Sequence, residues 1–268
     1  MRSIALTPLL CALLLPLSVA KAPAQTSDDY LCYKARVSKG TAKFEKTKDL
    51  AVTDSLESGA VDVKKPKLIC APAAASGTQP NDGTTHLAAY SAKAVKGSPK
   101  HTRLEDFRVV TALGELFIDT VKEGLLLVPT AVDNSGPTTE PTGHTVDAFK
   151  CYKTKKPKGF KKILGQDLSE WMDGARTYDL KKPSHFCPPA DIEAEGIKDA
   201  DSHLVCYKTK VSQGQPRHQP LTGLYTAGRF GALQFDTKKV TLLCTPTTAV
   251  QGCGDGLINE AGEQCDDG

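Results

Sequence analysis

The chain has 268 residues, with 34 Lys and Arg against 31 Asp and Glu, for a formal net charge of +3. So even a balance gives no electrostatic case for nucleic acid, and only a slight one for an acidic polymer or surface. After the first two dozen residues no segment is apolar enough to span a bilayer as a helix.

Arg2, the apolar stretch from Ile4 to Leu17 and the small residues Ala20, Ala22 and Ala24 follow the order of a secretory leader. Residues 1–24 are therefore expected to be a cleaved signal, with the cut at one of those three alanines. Cys11 follows Leu10, where a lipoprotein signal needs a small residue. The expected location is secreted or at the cell surface, without a lipid anchor. Without the leader eight cysteines remain: Cys32, Cys70, Cys151, Cys187, Cys206, Cys244, Cys253 and Cys265. An even number in an exported chain points to disulfides.

The next signal is repetition. LCYKAR at Leu31, KCYKTK at Lys150 and VCYKTK at Val205 each start a unit, and ICAP at Ile69, FCPP at Phe186 and LCTP at Leu243 end one. The two cysteines of a unit lie 38, 36 and 38 residues apart. A fourth unit, second in chain order, has AAYSAK at Ala88 and LLVP at Leu126, with Ala89 and Leu127 at the cysteine positions. Other positions recur too. Tyr33, Tyr90, Tyr152 and Tyr207 follow the starts, with Arg36, Lys93, Lys155 and Lys210 as bases further on. Asp62, Asp119, Asp179 and Asp236 each stand eight residues before the ending position.

The units alternate in type. The second and fourth share HLxxYxxKxxxGxPxH, His86–His101 and His203–His218, and the first and third share DxKKP from Asp62 and Asp179. This order, A-B-A-B, predicts two tandem domains: a first pair over 28–132, a linker over 133–146 and a second pair over 147–249. The defective unit also bears on disulfide pairing, because it lacks both cysteines together. Bridges closed within each unit, Cys32–Cys70, Cys151–Cys187 and Cys206–Cys244, leave no cysteine stranded, whereas bridges between the members of a pair would. Each such loop stabilises by about 4 kcal/mol on the chain-entropy estimate. The second unit must replace that by packing, with Leu125–Val128 and Leu116–Ile118 as its apolar resources.

Alternation around Val61–Val63 and Tyr178–Leu180, and the short runs Arg108–Thr111 and Val240–Leu243, read as strands. The fold class is therefore expected to be all-β, with two tandem sandwich-like or barrel-like domains, each built from a pair of ~45-residue disulfide-closed repeats. Pro66 and Pro183 predict edge strands in the A-type units. Asp167–Met172 reads as a helical turn and Asp191–Asp199 as a short helix.

For chemistry, an acid needed four times in one chain reads as scaffold, so Asp62, Asp119, Asp179 and Asp236 are expected to contact the recurrent Tyr or base. The pairs His86/His101 and His203/His218 lack further ligands at zinc spacing and read as solvent-exposed hairpin residues. Trp171, near Lys161 and Lys162, reads as a partly buried side chain, with sugar stacking as the alternative. No catalytic motif is present, so no catalytic residue is assigned. In residues 250–268 the oxygen-bearing Asp255, Asn259, Glu260, Glu263, Asp266 and Asp267 read equally as a Ca²⁺ site or as a metal-free acidic turn. No other cofactor is expected.

The ending CGDGLINEAGEQCDDG resembles the start of a short cysteine-rich repeat of unknown function in secreted and surface proteins of myxobacteria and their relatives. In that family the pattern continues past the CDDG with further cysteines, which implies a truncated copy and leaves the pairing of Cys253 with Cys265 open. The CYK…DxKKP…LCxP units resemble an uncharacterised repeat of exported bacterial proteins that often carry the same element. Both resemblances imply location and architecture, not an activity. The expectation is a non-enzymatic extracellular adhesion or binding module, whose partner is a polysaccharide or cell-surface component. The alternatives are a secreted hydrolase with a missing or unrecognised catalytic part, and a calcium-stabilised spacer.

Overall fold

The computed structural model describes residues 28–250. Residues 1–24, read as a signal, and the terminal segment with Cys253, Cys265 and the six oxygen-bearing residues read as a calcium site, lie outside the described residues. All regular structure is β, in fourteen strands. The first repeat supplies β1 (Asp29–Val37), β2 (Thr47–Asp54) and β3 (Ser58–Ala75); the second supplies β4 (His86–Ala94), β5 (Phe107–Thr111), β6 (Gly114–Ile118) and β7 (Thr120–Asp133). The third gives β8 (Ala148–Thr154), β9 (Ile163–Glu170), β10 (Gly174–Cys187) and β11 (Pro189–Ile192), and the fourth β12 (His203–Val211), β13 (Leu224–Gly228) and β14 (Gly231–Val250).

The starting and ending strands of the four repeats form one closed antiparallel ring. Around it β1 pairs with β3, β3 with β4, β4 with β7 and β7 with β8. Then β8 pairs with β10, β10 with β12, β12 with β14, and β14 returns to β1. The expected division into two domains is therefore corrected. Of the expected linker 133–146, Asp133 ends β7 and the rest is a loop between directly paired strands, with Leu125 opposite Cys151, so it does not link independent bodies. Closure removes the ring's edges, which a separate two-repeat sheet would have to protect.

The middle strands form a second layer outside the ring. Each repeat's middle hairpin reaches the tail of the repeat two places on. Ala190 of β11 pairs with Asp54 of β2, and Ala74 of β3 pairs with Ser169 of β9. Likewise Thr247 of β14 pairs with Thr111 of β5, and Thr130 of β7 with Gly228 of β13. Opposite repeats, first with third and second with fourth, thus brace each other.

Two cores follow from the period-2 alternation of the ring strands. One face of all eight strands meets in a small cluster with Tyr30, Leu87, Phe149, Leu204, Leu242 and the six bridged cysteines, which is the ring interior. The other face, with Leu31, Tyr33, Ala88, Tyr90, Leu126, Val128, Phe186 and Val205, packs against Leu50, Val52, Val61 and other residues of the middle strands.

Cys32–Cys70, Cys151–Cys187 and Cys206–Cys244 are disulfides, each within one repeat, with Cα atoms 3.8–4.1 Å apart. Neighbouring bridges touch. Cys32 Sγ lies 4.0 Å from Cys244 Sγ, and Cys187 Sγ lies 3.8 Å from Cys206 Sγ. Sulfur thus runs round six of the eight strands. On the other two, Ala89 and Leu127 stand directly opposite each other at the cysteine positions, both buried in the same cluster.

Three local expectations are corrected. Pro66 and Pro183 lie in strands paired on both sides, not at edges. Each sits at a register irregularity, where a missing N–H disturbs no regular ladder. Asp167–Glu170 belongs to β9, whose partner β10 takes up its backbone hydrogen bonds, and Trp171–Asp173 is the following turn. Asp191 and Ile192 end β11, and the remainder of that stretch is turn and loop. The direct opposition of Ala89 and Leu127 generates a prediction. The double variant Ala89→Cys/Leu127→Cys will close a fourth bridge, seen by mass spectrometry as two hydrogens fewer than the reduced form. Each single variant will retain a titratable thiol.

Candidate functional site

The recurrent tyrosines and aspartates are the joints of the ring. Each tyrosine is covered by a ring from the preceding repeat: Phe44 on Tyr90 at 5.1 Å, His101 on Tyr152 at 4.4 Å, Phe160 on Tyr207 at 6.2 Å and His218 on Tyr33 at 4.5 Å. The order is cyclic, since the fourth repeat covers the first. The aspartates follow the same cycle. Asp119 pairs with Lys155 at 3.9 Å, Asp179 with Lys210 at 3.1 Å and Asp236 with Arg36 at 3.2 Å. Asp62 stands opposite Lys93 in register.

At the two A-type tyrosines the joint is polar and buried. Tyr152 donates its hydroxyl to Asp54 at 2.6 Å, and Tyr33 donates to Glu170 at 2.7 Å and Asp173 at 3.0 Å. These acids sit at the turns that end β2 and β9, in the hairpins of the opposite repeat. His101 bridges Glu57, 2.9 Å from Nδ1, and Thr120, 2.8 Å from Nε2. His218 bridges Asp173 at 2.9 Å and Thr237 at 2.7 Å in the same way. The expectation that these histidines are exposed is thereby corrected: both side chains are 2% exposed. His86 and His203 are buried as well.

Hydroxyl, imidazole and carboxylate in this order have the connectivity of a nucleophile, base and orienting acid. Their surroundings favour a structural role. Thr120 is 0% and Thr237 1% exposed, so no substrate reaches either oxygen. Each threonine oxygen also accepts a backbone N–H, from Leu104 and from Leu221. Burial pushes both tyrosine hydroxyls far above the ordinary phenol range, with nearby carboxylates adding to it, so they remain proton donors. Burial raises Asp54 and Glu170 too. Burial also acts upward on Glu57, but hydrogen bonds from His101 and Lys150 outweigh it and hold that carboxyl at about 2.

Lys150 is a further buried group that the sequence did not flag. Its ammonium lies 2.6 Å from Glu57 and 3.6 Å from Asp54, tying the first repeat's hairpin to the third repeat. The signal was available: Lys150 stands where the other units have Leu31, Ala88 and Val205. A cation at a repeated apolar position implies a buried acid.

Among the described residues no group of three or more His, Cys, Asp or Glu is placed to hold a metal ion. A groove of about 710 Å³ is lined by Glu105, Asp106 and Glu115, by Lys155, Lys156 and Lys158, and by the half-exposed Phe117. Trp171 is 42% exposed and donates its indole N–H to His86 Nε2 at 2.6 Å. Lys161 and Lys162 precede the far end of β9, a strand length from Trp171. Comparison with protein-family models, curated proteins and solved structures finds no match for this chain. Its chemistry has to be read from its own geometry.

The Trp171–His86 contact fixes a proton. An indole N–H only donates, so His86 Nε2 accepts, and Nδ1–H donates to the Thr84 carbonyl at 2.9 Å. Burial accordingly pushes His86 down to about 4, against the Thr84 carbonyl's opposite effect. A base whose folded value lies below its unfolded value of 6.5 takes up its proton first in the unfolded chain. Stability from this site is thus full above about pH 6.5 and falls as the pH drops towards 4. The fluorescence of the single tryptophan should titrate with a midpoint near 4, and His86→Gln should abolish that step.

Proposed function

We propose that the protein is a non-enzymatic extracellular binding module, carried outside the cell by its leader and presented on the secreted or surface side. The observation that carries this reading is the placement of its reactive-looking residues. The hydroxyl–imidazole–carboxylate set occurs twice, each time with hydroxyl and imidazole shut away from solvent and used to hold one repeat against another. A hydrolase acting through such a set needs its hydroxyl to meet substrate, and Thr120 and Thr237 are buried.

Support for the location comes from chemistry. Three buried disulfides persist in an oxidising compartment, and among the described residues no helix is long and apolar enough to cross a membrane. The two resemblances, to exported bacterial repeats and to the cysteine-rich element, point the same way. What remains on the surface for recognition is a mixed-charge groove and a set of lysines that form no ion pair among the described residues.

The test is a binding screen of the purified protein against polysaccharides and cell-surface polymers, with and without Ca²⁺. Saturable binding of at least one polymer, without change in its chain length on prolonged incubation, is the expected result. Depolymerisation that is lost in the Thr120→Val/Thr237→Val variant would establish the hydrolase instead. Loss of thermal stability on chelation, with no polymer bound, would establish the calcium-dependent spacer.

A further inference from the structure

The ring has two chemically different ends. Loops at the end where β1, β4, β8 and β12 finish, residues 38–46, 95–106, 155–162 and 212–223, hold twelve Lys and Arg and three acids. Loops at the other end, 76–85, 134–146 and 193–202, hold one Lys and six acids. A near-neutral chain has thus been folded into a polar object, with its positive field gathered over one mouth.

The concentration is greatest on the inward face just inside that mouth. Lys34, Lys153 and Lys208 follow Cys32, Cys151 and Cys206 by two residues and so point to the same side of their strands, where the bridges lie. Opposite residues in an antiparallel pair share a face. Lys122 is opposite Lys153, and Lys182 is opposite Lys208. Lys67 falls between Pro66, opposite Tyr90, and Leu68, opposite Ala89, so it is the extra residue of a bulge. Across Gly124, a Cβ would stand 3.3 Å from the Lys153 side chain and 3.5 Å from His185 Nε2, which places those two groups side by side.

Among the described residues none of these six lysines has an ion-pair partner, whereas Lys155 and Lys210 on the outward face do. Burial and then the ammonium groups of Lys65, Lys34 and Lys153 push Lys67 below its ordinary value. Burial, then Lys153 and Lys208, brings His185 down to about 4. Like charges directly across a pair destabilise a sheet. A fold that satisfies its outward bases with aspartates and leaves its inward ones unpaired retains that cost for something the isolated chain does not contain.

We propose that this crown of lysines is the ligand-binding face, and that its ligand is an acidic polysaccharide laid across the mouth of the ring. The proposal rests on the binding-module reading and names its ligand class. The ligand lies across and does not enter, because disulfides and leucines fill the interior directly beneath. Chain chemistry follows from the donors. The crown offers lysine point charges and no arginine fork, which suits sulfates or carboxylates spread along a chain. The groove on the same rim holds two aromatic rings: Phe160 packs against Tyr207 at 6.2 Å, which leaves the half-exposed Phe117 as the outward face. One ring beside a row of ammonium groups suits an acidic sugar, whereas single-stranded nucleic acid is held by several stacking platforms.

The experiment measures binding of the full chain to dextran sulfate, polygalacturonate, neutral dextran and a single-stranded oligonucleotide over a range of salt. Both acidic polysaccharides should bind and neutral dextran should not. The variant Lys34→Gln/Lys153→Gln/Lys208→Gln should lose ~10-fold or more in affinity at low salt, with the slope of log K against log salt reduced by about 2. The corresponding triple arginine variant should stay within about threefold of wild type. Because the Gln variant removes repulsion, its Tm at low salt should be no lower than wild type, which separates lost binding from lost folding. Unchanged binding in the Gln variant would overturn the proposal, as would tighter binding of the oligonucleotide than of dextran sulfate. Binding of neutral dextran alone would refute the lysine crown and leave the binding module standing. Failure of every polymer, in this panel and in the wider screen, would refute both.

Discussion

The structure depends on a repeat that cannot complete itself. A unit of about 45 residues has too little interior to bury both faces of a two-stranded sheet. Here the inward face is closed by the other three units and the outward face by their loops and hairpins. Tyr152 shows the arrangement: it belongs to the third repeat, His101 of the second stacks on it, and Asp54 of the first accepts its hydroxyl. Tyr33 repeats this with His218 and Glu170, two places round the ring. Four units satisfy the rule only by closing on themselves.

This closure explains which features were legible in the sequence and which were not. Strand identity, the unit boundaries and the scaffold role of the recurrent aspartates follow from residues at fixed offsets within one unit. Intra-unit disulfides were legible for the same reason, helped by the joint absence of cysteine at Ala89 and Leu127. What a period cannot reveal is which units touch. The A-B-A-B alternation suggests neighbouring pairs, yet the tails of β3 and β11 brace the hairpins of the opposite A-type unit. The A-type units share their buried acids because they brace each other, so likeness in sequence marks opposition across the ring.

The misplaced histidines have a related cause. His101 and His218 stand in polar, Pro-containing stretches that look like exposed loops. They are buried because another repeat's acid and their own repeat's threonine converge on them. Local hydrophilicity reports exposure only where nothing folds over the loop. The lysine crown was hidden too, since Lys34, Lys153 and Lys208 read singly as solvated surface, and only ring closure turns their inward faces towards one mouth. The same geometry separates two kinds of polar group, with the tyrosine and histidine joints buried between repeats and the six inward lysines gathered at one end.

The central claim is that four repeats make one body, and the most direct test is to produce residues 28–132 alone and measure both folding and mass in solution. The account predicts that this half is unfolded as a monomer, or folds only as a dimer in which a second copy supplies repeats three and four. A monomeric half with dispersed amide resonances and a cooperative melt would contradict it.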